Sequence, residues 1–543
     1  MTESNYTPSP VLGEVIVDQL IRSGVREAVI APGSRNAPLT MALWRAAEEK
    51  RIRLHSRIDE RSAAFLALGI AKATGAPTPV ICTSGSAAAN FYPALLEAHH
   101  SQHPLIAITA DRPARLWQTG ANQTTMQLGM FPAAISHTVN ISASGSERGQ
   151  VRNWRIEIAQ CLARKKPAHI NVEFDEPLVG SLDWSEALDA EIDPIATQSF
   201  PARPLQNYHP HGVILLGHDR AGISPADIST MSETLGWPIL SEDPLSGLHV
   251  VAHASLILSD EKRRSELKPE VAMVIGRLTL TRAVSAYLAL AERVVIVDSR
   301  TDEIDIEREG DELHLTLPTL EKQSTIQRDA SWSAKFTSLA EKISHRLPAL
   351  LPQWSEPTAV VATAQEIPSD SALFVASSRP IRDIEAFAIP RTGIETFANR
   401  GLAGIDGNVS TAFGIALARR RTYAIVGDLA FLHDINGLLI GPEETRPNLT
   451  FIVIANDGGG IFSTLPQSDV PGFEKIFGTP HGRDLVAIAE SYGIASVGVH
   501  TQEALIAQLA RSGEGIRVIV ARMPERTANA ELLKEITRSL ALL

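Results

Sequence analysis

Short apolar runs rich in branched residues recur along the chain between stretches of helical periodicity, at residues 28–31, 80–83, 105–109, 213–216, 271–275, 294–297, 374–376, 423–426 and 451–455. Such runs lack the polar alternation of a half-solvated strand. They suit strands covered on both faces, and with helix-length segments between them they predict βαβ units around parallel sheets. Proline interrupts the rhythm twice, at Pro194, Pro201, Pro204 and Pro210 and again at Pro348, Pro352 and Pro357, where surface linkers between domains are expected. At about 150 residues per domain, a chain of 543 residues has room for three or four. The linkers select three doubly wound parallel-sheet α/β domains, near 1–185, 205–347 and 358–543.

The first and third domains keep step with one another. Ser34-Arg35, after the first run, matches Ser378-Arg379 at an offset of 344 residues. Leu68-Gly69-Ile70-Ala71 matches Phe413-Gly414-Ile415-Ala416 at 345, and residues 80–82 match 424–426 at 344. Few identities are involved. The register fits either the common α/β rhythm or a duplicated module with another α/β domain inserted between its copies.

Composition narrows the class of function. With 44% hydrophobic residues and ordinary numbers of Gly (36) and Pro (33), the chain is neither collagen-like, low-complexity nor disordered. A net charge of −12 gives no general attraction to nucleic acid or to an anionic membrane, though it leaves room for a local cationic pocket. Cys82 and Cys161 are too few for a disulfide scaffold or a thiolate metal cluster, and read as core residues in a reducing compartment. The start, MTESNYTPSP, lacks the basic residues and apolar run of a secretory signal. The longest apolar runs fall well short of the roughly 20 residues of a membrane helix. A cytoplasmic protein without integral membrane association is expected.

Chemistry concentrates where two C-terminal runs end. The run 423–426 leads into Gly427-Asp428, and the run 451–455 leads into Asn456-Asp457-Gly458-Gly459-Gly460, so Asp428 and Asn456 lie 28 residues apart. A βαβ unit of that length puts both side chains at the carboxyl ends of parallel strands, where open α/β sheets bind ligands. A carboxylate and an amide oxygen are hard donors suited to Mg²⁺, which retains substrate phosphates among its ligands. Neighbouring glycines let backbone N–H groups approach phosphate oxygens. The same residues also make ordinary turns and helix caps. Neither these glycines nor Gly217-His218-Asp219-Arg220-Ala221-Gly222 has the spacing of a dinucleotide fingerprint, which speaks against a nicotinamide or flavin dehydrogenase.

These features resemble the thiamine diphosphate (ThDP) enzymes, whose signature is Gly-Asp-Gly followed further along by Asn. Leu429 replaces the final Gly here. Residues 31–43 (APGSRNAPLTMAL), 57–75, 83–98, 109–124 (TADRPARLWQTGANQT), 399–412 (NRGLAGIDGNVSTA) and 456–467 (NDGGGIFSTLPQ) are similar to the branch of that family acting in menaquinone biosynthesis, where Gly-Asp-Leu is usual. The likeness covers both outer domains and is weak in the middle one. It implies a pyrimidine-binding N-terminal domain, a central Rossmann-like domain without cofactor and a diphosphate-binding C-terminal domain. It also implies a homodimer or homotetramer with active sites between subunits.

The activity implied is that of a transferase of the transketolase type: decarboxylation of 2-oxoglutarate and 1,4-addition of the resulting succinic-semialdehyde carbanion to isochorismate. By the same resemblance, Asp428, Asn456 and Gly458 hold Mg²⁺, with Mn²⁺ as the alternative, and Gly427, Leu429 and Ile461 also contact ThDP. Glu60, between an expected strand at Ile52–Ile58 and a helix starting at Arg61, takes the place of the glutamate that hydrogen-bonds the aminopyrimidine and so drives proton removal. Without the resemblance, a helix-start Glu is explained by the macrodipole alone. Ile405 is the expected apolar prop beneath the cofactor, with an ordinary core isoleucine as the alternative.

Both substrates are dicarboxylates, for which guanidinium groups are the natural partners. Ser378, Arg382 and Arg400 match positions holding the succinyl carboxylate, whereas Ser34, Arg35, Arg112, Gln123 and Arg282 match positions facing isochorismate. Thr281, where relatives carry Lys, is a departure. No catalytic histidine is expected. His99, His100 and His103 fit compensation at a helix C-terminus, and His209 and His211 fit a solvated loop. Two other classes compete: a ThDP decarboxylase or acetohydroxyacid-type synthase, which needs fewer arginines, and a non-catalytic ligand-binding protein, which has no use for Glu60.

Overall fold

The structure, a computed structural model, describes residues 8–143, 150–180, 192, 201–206, 208–245, 247–300, 310–320, 326–511 and 513–543. It divides into two compact units, one drawn from Met1–Gln198, Gly401–Arg420 and Ala430–Pro447, the other from Ser199–Arg400, Arg421–Leu429 and Asn448–Leu543.

In the first unit, β1 (Glu27–Ile30), β2 (Arg53–Ser56), β3 (Thr78–Cys82), β4 (Leu105–Asp111), β5 (His137–Ser142) and β6 (Ala168–Glu173) form one parallel sheet in the order β2-β1-β3-β4-β6-β5. Every residue of β1, β3 and β4 is buried, as unalternated apolar runs require. Val11, Val15, Leu39, Leu43 and Ile158 of the flanking helices pack with Ile81, Ile106 and Ile170 of the sheet. The helix Glu60–Thr74 begins on Asp59, whose carboxylate accepts the Arg61 and Ser62 N–H groups, and stops at Gly75 in the left-handed region (φ 67°). It packs against the helix Asn408–Leu417 so closely that a Cβ on Gly69 would lie 2.1 Å from the Thr411 carbonyl oxygen and 3.0 Å from the Gly414 Cα.

The second unit holds two parallel sheets. β7 (Gly212–Leu216), β8 (Ile239–Ser241), β9 (Val271–Ile275), β10 (Arg293–Val297) and β11 (Glu312–His314) run in the order β11-β10-β9-β7-β8. β12 (Ser371–Val375), β13 (Ile394–Phe397), β14 (Thr422–Gly427), β15 (Leu449–Ala455), β16 (Ala495–Val499) and β17 (Ile516–Arg522) run in the order β13-β12-β14-β15-β17-β16. That is the strand order of the first unit's sheet, element for element. β4 and β15 are both seven residues long and begin 344 residues apart, as do β3 and β14. The common topology supports duplication over coincidence.

The two proline-bearing stretches differ from extended linkers. Pro194 lies outside the described residues; Pro204 forms an isolated parallel bridge with Thr319. Pro348 sits within the helix Ala330–Leu350, and buried Pro357 lies in the first turn of the helix Glu356–Glu366, leaving residues 351–355 between them. A first-turn proline loses no helical hydrogen bond, so Pro357 marks a helix start. Cys82 and Cys161 are both buried, and burial pushes the Cys161 thiol up to about 12.

Candidate active site

In each outer domain the sheet sets its candidate residues at the carboxyl ends of adjacent strands. In the N-terminal domain Ser34 and Arg35 follow β1, Ser84 follows β3 and Arg112 follows β4. Arg112 Nη1 donates to Ser84 Oγ at 2.6 Å and to the Gln123 carbonyl at 3.2 Å. Arg35 donates to the Phe174 carbonyl at 3.0 Å and lies 3.3 Å from Glu176. Burial and then the nearby Arg35 charge hold the Arg112 guanidinium below its ordinary value. Ser34 and Gln123 are exposed, the latter with φ of 53°.

A buried polar chain lies beneath. The Gly85 N–H donates to Gln127 Oε1 (2.9 Å), Gln127 Nε2 to Asn171 Oδ1 (2.9 Å), and Asn171 Nδ2 to Asp111 Oδ2 (3.1 Å). Each group is satisfied in a low-dielectric setting, which fixes the strand ends.

Glu60 opens the helix after β2, one residue earlier than expected, and β2 itself spans only Arg53–Ser56. The Glu60 side chain is half-buried, and its charge adds to burial in raising the Cys82 thiol pKa. In the same unit Ile405 is 42% exposed, so it is no core isoleucine. Its loop is pinned: the Glu97 carboxylate accepts the Gly401 and Leu402 N–H groups (2.8 and 2.7 Å), and Asn408 Nδ2 donates to the Ile405 carbonyl at 2.7 Å.

In the C-terminal domain Asp428 follows β14 and is 2% exposed. Its Oδ1 accepts the Leu429 N–H (2.7 Å), and its Oδ2 accepts those of Asn456 (3.1 Å) and Gly458 (3.0 Å), with His481 Nε2 at 3.3 Å. Burial pushes the Asp428 carboxyl up, opposed by the Gly458 hydrogen bond and by His481. Asn456, after β15, donates Nδ2 to Glu356 Oε1 at 2.8 Å, while its buried Oδ1 has no hydrogen-bond partner among the described residues. A Cβ on Gly458 (φ 139°) would lie 2.1 Å from the Gly478 carbonyl oxygen, so only glycine fits there.

The Asp428 carboxylate, the bare Asn456 amide oxygen and a backbone carbonyl such as that of Gly458 are hard oxygen donors of the kind Mg²⁺ takes. Among the described residues no group of three or more His, Cys, Asp or Glu could hold a metal by itself. A cation here would therefore draw further ligands from phosphate or water. Gly427 and Leu429 flank Asp428, and half-buried Ile461 follows in the short helix Gly460–Thr464.

Ser378 (φ 76°) ends the turn after β12, and Arg382 Nη1 donates to its carbonyl at 2.7 Å. Buried Arg400, after β13, donates to the Thr279 carbonyl and hydroxyl at 3.0 and 2.9 Å. Burial first, then the charges of Arg400 and Arg379, lower the Arg382 pKa against the opposing charges of Glu242 and Asp383, and Arg379 itself pairs with Asp383. Arg379, Arg382, Thr281 and Thr464 line a cavity of about 560 Å³. Arg282 begins the helix Arg282–Leu288 and is exposed; Thr281 caps that helix through its hydroxyl. Thr281, the departure, thus has a structural role and is the one of the two that faces the cavity.

Sequence reasoning missed Glu356, His481, Glu97 and Arg379. Ser355-Glu356-Pro357 carries a helix-start signal and nothing more; only the fold brings Glu356 to Asn456. His209 and His211 pair with Glu270 and Asp329 while their side chains stay 54% and 41% exposed, as on the solvated loop expected.

The chain matches three family models in order. They are "Thiamine pyrophosphate enzyme, N-terminal TPP binding domain" over residues 11–130, "Middle domain of thiamine pyrophosphate" over 197–375 and "Thiamine pyrophosphate enzyme, C-terminal TPP binding domain" over 386–521. Three parallel-sheet α/β domains with strand-end sites in the outer two are thus those of a thiamine pyrophosphate enzyme. The chain is similar to the 2-succinyl-5-enolpyruvyl-6-hydroxy-3-cyclohexene-1-carboxylate synthase of Thermobifida fusca (strain YX), 39% identical over 98% of this chain and 99% of the relative. It is 39% identical to the synthase of that name from Nocardia farcinica (97% and 98% covered) and 37% to that from Saccharopolyspora erythraea (95% and 96%). It belongs to this synthase family.

Proposed function

We propose that the chain converts 2-oxoglutarate and isochorismate into 2-succinyl-5-enolpyruvyl-6-hydroxy-3-cyclohexene-1-carboxylate and CO₂, in menaquinone biosynthesis. Membership of the synthase family supports this reading, and one structural observation carries it. Two separate guanidinium groupings, Arg35 with Arg112 and Arg379 with Arg382 and Arg400, stand at strand ends in domains of the ThDP-binding type. Each suits a dicarboxylate through charge-assisted, bidentate hydrogen bonds. A monocarboxylate such as pyruvate would leave one grouping without an anion.

When bound, ThDP supplies the electron sink that lets a 2-oxo acid lose CO₂ and its keto carbon act as a nucleophile. The chain's own residues orient and balance charge. Asp428, Asn456 and Gly458 would hold Mg²⁺, or Mn²⁺ in its place, against the diphosphate, with Gly427, Leu429 and Ile461 beside it. Ile405 would press an apolar face against the cofactor from its pinned loop. The Glu60 carboxyl would hold a proton shared with the aminopyrimidine ring, the arrangement a general acid–base group needs. Ser378, Arg382 and Arg400 would take the succinyl carboxylate. Ser34, Arg35, Arg112 and Gln123 would face isochorismate, with Arg282 as an outer contact.

The reading further places the active sites between subunits of a homodimer or homotetramer, in the cytoplasm. No described helix is long and apolar enough to cross a membrane. Purified protein with Mg²⁺ and ThDP is expected to release CO₂ from 2-oxoglutarate and to form a coupled product only when isochorismate is added. Rapid turnover of pyruvate with none of this pair would overturn the assignment.

A further inference from the structure

We propose that Glu356 is a positioning residue for the divalent cation: it sets which end of the Asn456 amide faces the metal. The proposal rests on the reading of Asp428, Asn456 and Gly458 as the cation's protein ligands. An asparagine amide has one end that accepts and one that donates, of nearly equal shape, so a ligand asparagine needs a neighbour that tells them apart. A carboxylate does so because it only accepts. Glu356 Oε1 lies 2.8 Å from Asn456 Nδ2, and the opposite end, Oδ1, is buried and without a hydrogen-bond partner among the described residues. An acceptor left bare in a buried setting costs about 1–3 kcal/mol unless something else uses it, and a cation ligated there would use it.

Two further features hold the arrangement. Glu356 is 2% exposed and lies in the first turn of the helix Glu356–Glu366, where the N-terminal end of the helix favours a carboxylate and Ser355 caps through its hydroxyl. Beside the same Nδ2 end of the amide stands Gly460. A Cβ there would come within 2.5 Å of Asn456 Nδ2 and 3.5 Å of Glu356 Oε1, so the absence of a side chain leaves room for this orientation. Partners of this kind behind a metal ligand are commonly worth 10–100-fold in metal affinity, and they act without touching the metal.

The test uses the full-length apoprotein with ThDP present, titrated with Mn²⁺ while free Mn²⁺ is followed by electron paramagnetic resonance. Glu356→Leu removes the acceptor and is expected to weaken Mn²⁺ binding about 10–100-fold. Glu356→Asp withdraws it by one methylene and is expected to weaken binding in the same direction. Glu356→Gln keeps an acceptor oxygen in reach but also offers a donor, so it only partly tells the amide ends apart and is expected to weaken binding by less than Leu does. A merely structural role would lower melting temperature in all three without separating Gln from the others. Wild-type Mn²⁺ affinity in the Leu or the Asp variant, in whichever folds, overturns the proposal. Asp428→Ala in the same titration separates the two levels. If it loses Mn²⁺ binding while the Glu356 variants do not, only the positioning role falls; if Asp428→Ala binds normally, the metal site and this proposal fall together.

Discussion

Asn456 and Ile405 show how partners and exposure carry information that residue type does not. The Asn456 amide is bonded at one end and bare at the other, and Ile405 is 42% exposed on a loop pinned by Glu97 and Asn408; neither trait can be read from residue type. Glu60 belongs to the same scale. Glu60→Gln keeps the shape and loses the ionisable oxygen, so ThDP binding should stay within a few-fold while proton exchange at the thiazolium C2 falls by about 10²-fold or more, read by NMR in D₂O. Unchanged exchange would remove Glu60 from the proton relay. Asp428 and Asn456 stood out in the sequence as hard-oxygen residues beside the ends of strands, whereas Glu60 was singled out by the family resemblance alone. Glu356 and His481 were not legible there, since they reach Asn456 and Asp428 across 100 and 53 residues of chain, and no local pattern encodes that meeting.

Among elements, the helices Glu60–Thr74 and Asn408–Leu417 cross at close range. A Cβ on Gly414 would lie 2.1 Å from the Leu66 carbonyl oxygen and 2.9 Å from the Gly69 Cα. Replacing a mid-helix glycine by alanine ordinarily gains about 1 kcal/mol from propensity. Here the obstacle is backbone, which cannot rotate away, and overpacking costs about 1–3 kcal/mol or more. The second effect should win: Gly414→Ala is expected to lower the thermal midpoint in a melting experiment, and a raised midpoint would show that the helices part freely. The Gly69 and Gly414 register noticed in the sequence is therefore a contact as well as a repeat. Strands with clean apolar runs, such as β9 and β15, were legible for the reason β6 was not. β6 (AHINVE) buries His169, Asn171 and Glu173 in a polar network, so its pattern carries no apolar run.

For the whole molecule, sequence order and compactness divide the chain differently. Three sheets follow one another along the sequence, yet Gly401–Arg420 and Ala430–Pro447, which belong to the third domain by order, pack with the first. Short linkers and hydrophobic rhythm reveal sheets; they say nothing about which body a crossing helix joins. If active sites are shared between subunits, two inactive variants should rescue each other. Co-expressed Glu60→Gln and Asp428→Ala chains would form mixed dimers in which one site keeps both native groups, so about a quarter of wild-type activity should return. Silence of the mixture, with mixed dimers demonstrated by differential tagging, would mean that each chain completes its own site.

The matched strand orders have a last consequence. At the 344-residue offset Ser84 corresponds to Asp428 and Arg112 to Asn456, so one scaffold position is read once with a hydroxyl and a guanidinium and once with a carboxylate and an amide. On the proposed reading the N-terminal copy would repel a divalent ion where the C-terminal copy would attract it. Two copies of one scaffold would then load one cofactor equivalent per polypeptide, the second copy being left to recognise an acid.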